Sequence, residues 1–74
     1  MEVQKEGIEK MPEKITLAAA RVNAGLSQKD AAKLIGVSPA TLRNYETGKT
    51  SPGWGVVRKI EKVYGMSIDY IFLP

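Results

Sequence analysis

The chain has 74 residues, 11 Lys or Arg against 8 Asp or Glu, and neither Cys nor His. That length allows one small domain with a modest core, and the missing Cys and His exclude disulfides, the usual zinc ligands and the common nucleophile–base pairs. Residues 1–14 carry four Glu and three Lys, so the basic excess lies in residues 15–74, and the overall pI near 9.3 is compatible with a nucleic-acid partner.

Residues 1–14 show no sustained period and contain Pro12, which marks them as a flexible N-terminal arm. Their alternating charges lack the apolar run of a signal peptide, and no stretch approaches the ~18 apolar residues of a membrane span. The expected location is therefore the cytoplasm, at the nucleoid. A first helix is predicted over Leu17–Asn23, with Thr16 as N-cap and Gly25 as stop. A second begins after Ser27, where Ser27 and Asp30 have capping-box spacing, and ends at Gly36. Ser38 caps a third, Pro39 suits its first position because a missing N–H costs nothing there, and Gly48 ends it. After a loop over residues 49–53, Val56, Val57, Ile60, Val63 and Tyr64 form one apolar face of a fourth helix from Trp54 to Tyr64. Ser67 then caps a last short helix, Ile68 to Phe72. No strand-like alternation is present, so the expected fold is all-α: a compact five-helix bundle over residues 15–74. Trp54, Val57, Ile60 and Leu42 are its expected core.

At about 100° per residue, Pro39, Arg43, Thr47, Ala40 and Asn44 share one arc of the third helix, and Leu42, Tyr45 and Glu46 share the other. The first arc is small at its N-terminal end and carries planar hydrogen-bonding heads one turn later. Arg matches the O6 and N7 of guanine, Asn the N6 and N7 of adenine, and Ala, Pro or a Thr methyl can touch the thymine methyl. An ordinary solvated polar face remains the alternative for such an arc taken alone. The short Gly-containing connection to the second helix, with Ala32 small at the crossing, has the form of a helix-turn-helix.

Leu26-Ser27-Gln28, Ala32, Ile35-Gly36-Val37-Ser38, Thr41-Leu42, Tyr45-Glu46, Gly48-Lys49, Pro52 and Gly65-Met66-Ser67-Ile68-Asp69 resemble the helix-turn-helix DNA-binding domain of phage repressors and Cro-like regulators, the lambda repressor-like or xenobiotic-response-element type. The resemblance covers about Ile15 to Leu73. It implies that Gln28 contacts a phosphate, that Ser38 caps the third helix beside a phosphate, and that Pro39, Ala40, Arg43 and Asn44 read bases. Pro39 and Ala40 depart from the polar residues common there and leave apolar contact as the expected mode. The resemblance also implies backbone contacts by Thr47 and Lys49, and a structural ion pair between Arg21 and Glu46.

Tyr70-Ile71-Phe72-Leu73 holds four large apolar residues in succession, which cannot all face one core. A dimer contact through this tail is expected, because two-fold symmetry suits half-sites about 34 Å apart. The leading expectation is a double-stranded DNA-binding transcriptional regulator, a repressor of bacterial or phage type, without cofactor or metal. Its rival is an antitoxin-like or adaptor module that binds a protein partner and binds DNA weakly. Asp30, Glu61 and Asp69 are scattered over separate helices, so an enzyme is not expected.

Overall fold

A computed structural model of the chain describes residues 14–74. Of the arm expected over residues 1–14, all but Lys14 lies outside the described residues. Four α-helices follow the sequence punctuation: α1 Leu17–Asn23, α2 Gln28–Ile35, α3 Pro39–Thr47 and α4 Trp54–Tyr64. The first three open on side-chain caps, since Thr16, Ser27 and Ser38 accept the amides of Ala19, Asp30 and Thr41, each at 3.0 Å. Such a cap satisfies one of the free N–H groups of a first turn and is worth about 1 kcal/mol. Gly53, at the N-cap of α4, offers no side chain for this purpose.

Two glycines fix the boundaries of α3. Gly36 has φ +95° and ends α2, with its own amide and that of Val37 returning to the Ala32 carbonyl at 2.8 and 3.0 Å. A side chain is disfavoured at such a φ, so the tight turn between α2 and α3 depends on this residue. Gly48 has φ +83° at the end of α3, and a Cβ built on it would also lie 3.0 Å from the Pro74 side chain. Two separate restraints therefore disfavour a larger residue there.

The five-helix expectation requires correction after α4. Ile68–Tyr70 forms only a single 3-10 turn, and Ile71–Phe72 is a strand (β2) lying parallel to Ile15–Thr16 (β1), with Ile15 opposite Ile71 and Thr16 opposite Phe72. The described residues thus form four α-helices and a two-stranded sheet that joins the two ends of the domain. Strand geometry alternates side chains between faces, which resolves the crowded tail. Ile71 is buried, Tyr70 and Phe72 are exposed, and Leu73 is half-buried.

The core is apolar, with Leu17 and Ala20 from α1, Ala31, Ala32 and Ile35 from α2, Leu42 from α3, Ile60 and Tyr64 from α4, and Ile71 from β2. Val57 is buried as well. Ala31 and Ala32, fully buried, allow α2 to approach its neighbours closely. Trp54 is a second correction, since it is 74% exposed rather than part of the core. It is the first residue of α4 and lies about 120° round the helix from Ile60, beyond the packed stripe.

Candidate nucleic-acid interface

Docking through Leu42, which is fully buried, turns the opposite side of α3 outward. Pro39, Ala40, Arg43 and Thr47 are exposed on that side, Asn44 is half-buried beside them, and Lys49 is exposed just after the helix. Tyr45 and Glu46 are half-buried on the inner side. The amides of Lys49 and Thr50 return to the Asn44 carbonyl at 2.9 and 3.3 Å, so the backbone carrying the Lys49 cation is anchored to the end of α3.

Hydroxyl protons limit what this face can donate. Thr47 Oγ1 donates to the Arg43 carbonyl at 3.0 Å, leaving its methyl and lone pairs for an outside group. Ser38 Oγ accepts the Thr41 amide and donates to Thr41 Oγ1 at 2.9 Å. Their mutual bond consumes one of two hydroxyl protons and leaves the other unspent. Thr41 had no place among the expected contacts. The Ser-x-x-Thr spacing carried the signal, because it sets two hydroxyls together across the first turn of a helix.

Gln28, on the first turn of α2, is half-buried and donates from Nε2 to Glu46 Oε1 at 3.0 Å. Glu46 is also paired with Arg21, whose Nε lies 2.7 Å from Oε2 with side chains only 15% and 6% exposed for Arg21 and Glu46. Arg21 Nη1 donates further to the Leu26 carbonyl at 2.9 Å. One carboxylate thus joins α1, the start of α2 and the inner side of α3. That Gln28 belongs to this cluster was not visible in the sequence, because the three residues come together only in the folded chain.

Tyr64 is near enough to the same cluster to feel the charges of Glu46 and Arg21, and its buried hydroxyl makes no hydrogen bond among the described residues. Burial pushes its pKa up from 10.0 to about 12, the Glu46 charge adds to the rise, and Arg21 opposes it. Between those two values the unfolded chain loses this proton before the folded one does. The stability this group contributes should therefore be fully present below pH 10 and be lost as pH climbs toward 12. In Tyr64→Phe that part of the alkaline loss should vanish, while stability at pH 7 changes by no more than about 1 kcal/mol, because no hydrogen bond is removed. Urea melts of both proteins at pH 7, 9.5 and 11 test this, and equal alkaline losses would refute it.

Two surface hollows lie away from the outer side of α3. One is lined by Arg58, Glu61, Lys62, Gly65, Met66 and Ser67, and the other, more apolar, by Pro52, Gly53, Trp54, Val57, Ile68 and Leu73. Among the described residues no group of three or more acidic side chains could hold a metal ion, and no helix is long and apolar enough to cross a membrane.

Residues 17–71 match the protein family described as helix-turn-helix. The chain is similar to the HTH-type transcriptional regulator PuuR of Escherichia coli (strain K12), with 38% identity over 56 residues, 76% of this chain and 30% of that protein. It is similar also to the HTH-type transcriptional regulator ImmR of Bacillus subtilis (strain 168), with 34% identity over 55 residues, 74% of this chain and 43% of the relative. An uncharacterized HTH-type transcriptional regulator of Methanocaldococcus jannaschii is 42% identical over 48 residues, 65% of this chain and 73% of its own length. The chain therefore spans less than half of PuuR and of ImmR. No solved structure matches it.

Proposed function

Because the chain belongs to the Cro/C1-type helix-turn-helix family, we propose that it is a sequence-specific, double-stranded DNA-binding transcriptional regulator that inserts α3 into the major groove. The observation that carries this reading is the outer side of α3, where small exposed Pro39 and Ala40 precede exposed Arg43 and half-buried Asn44 by one turn. A narrow helix end can approach base edges, and the planar heads behind it can form paired hydrogen bonds there. Arg43 and Asn44 select the site, with Pro39 and Ala40 supplying apolar contact. Lys49, Gln28 and the unspent proton of the Ser38–Thr41 pair hold phosphates, and Thr47 contributes its methyl group. The protein represses by occupying its site in the cell's nucleoid and performs no catalysis.

Dimerisation through the tail fits the same reading, because Tyr70 and Phe72 remain exposed after Ile71 is buried. Two copies joined there would place weak half-site contacts in one complex.

Selection from random duplexes at two salt concentrations tests the function. Asn44→Ala should bind the preferred site about 1–3 kcal/mol more weakly and relax the preference at one base pair. Lys49→Ala should weaken all sequences alike and reduce the salt slope by about one. Recovery of the parent motif by Asn44→Ala at undiminished affinity would remove that residue from base reading. A parent with little affinity for any duplex and little response to salt would favour the partner-binding alternative, which the 74% exposed Trp54 beside its apolar hollow also supports.

A further inference from the structure

We infer that Glu46 is a positioning residue for DNA binding: through Gln28 it fixes which end of a side-chain amide faces the phosphate. The inference rests on the DNA-binding reading and goes beyond a purely structural role for the ion pair. A glutamine amide has a donor end and an acceptor end of nearly equal shape, and a phosphate diester accepts hydrogen bonds but donates none. An unrestrained Gln28 would present either end, and its oxygen would repel the phosphate.

The carboxylate of Glu46 removes this ambiguity. It too is acceptor-only, so the end of Gln28 that lies 3.0 Å from Oε1 must be the nitrogen. One N–H is consumed by Glu46, and the second remains on the same nitrogen for an acceptor outside. A bare carboxylate this close to a phosphate site would oppose DNA binding. Arg21 neutralises it, with Nε at 2.7 Å from Oε2 and Nη2 at 3.5 Å from Oε1. Glu46 is itself held rigidly, with only 6% of its side chain exposed. The relay from Arg21 to Glu46 to Gln28 therefore delivers an oriented donor without adding charge at the surface.

The test separates orientation from stability by replacing the whole pair. Arg21→Met with Glu46→Leu exchanges two part-buried charges for apolar side chains of similar size, an exchange that often leaves stability near the parent's. The duplex is the one the parent selects, and binding is measured for the parent, this double variant, Gln28→Ala and the triple combination. The double variant should melt within a few degrees of the parent yet bind this duplex about tenfold more weakly, with an unchanged salt slope because no phosphate-neutralising cation is lost. Gln28→Ala should lose a similar factor, and the triple variant should bind no more weakly than Gln28→Ala.

Parent-like affinity in the folded double variant overturns the inference, as does a triple variant whose losses multiply. A second measurement needs no variant that might not fold. In the free parent, the Gln28 side-chain nitrogen should have an order parameter near the ~0.85 of rigid backbone, and a value below ~0.6 overturns the inference. Failure of the parent to bind any duplex would instead sink the DNA-binding reading and this inference with it, an outcome distinct from the two above.

Discussion

Arg21→Met alone should destabilise the domain by about 3 kcal/mol, the lower end of the range for removing one partner of a buried ion pair, because this pair is only part-buried. The cost arises mainly from what remains. Glu46, with 6% of its side chain exposed, would be left among packed helices with only the neutral amide of Gln28 as a partner. The Leu26 carbonyl would also lose its donor. For a domain of this size such a loss lowers Tm by on the order of 20 °C, a large share of a total stability of about 5–15 kcal/mol. In urea the midpoint should fall with the slope unchanged. Adding Glu46→Leu should then recover most of the loss, because it removes the stranded charge. A loss below about 1 kcal/mol for Arg21→Met would instead assign the pair the energetics of an exposed one.

The four helices were legible because their signals are local. Ser27, Ser38, Gly36 and Gly48 each act within one turn of where they stand, and short-range capping does not depend on the rest of the fold. The end of the chain was not legible for the opposite reason. Tyr70-Ile71-Phe72 carries β-branched and aromatic side chains, but its conformation is decided by Ile15 and Thr16 at the far end of the domain. A parallel partner so remote in sequence leaves no mark on a window of ten residues. Trp54 shows a related limit: the period of α4 locates its buried stripe, yet a residue about 120° from the centre of that stripe can face either way. In the candidate interface, the helical wheel separates Leu42 from Arg43 and Asn44 without tertiary information. The bond between Gln28 and Glu46 depends on how α2 meets α3, and no spacing encodes it.

Leu42→Ala should cost about 2–5 kcal/mol, because the removed atoms lose their burial and the surrounding helices close the cavity only in part. The upper half of that range is expected, since Leu42 has 0% exposure and is the only buried residue of α3. Nine residues are too few for an independently stable helix in water, so α3 holds its shape by docking. Leu42 thereby links stability to the proposed function. Loss of its side chain frees the helix whose outer side carries Arg43 and Asn44, although neither residue is altered. Leu34→Ala is the control, because Leu34 is 59% exposed and its truncation should change stability by no more than about 0.5 kcal/mol. Measured at a temperature where both variants are folded, Leu42→Ala should select the parent's duplex motif, since the residues proposed to read it are intact, and should fail on warming well before Leu34→Ala does. Equal losses in the two variants would mean that α3 is not docked through Leu42, and the lengthwise division of the helix, on which the proposed base reading depends, would fall with that result.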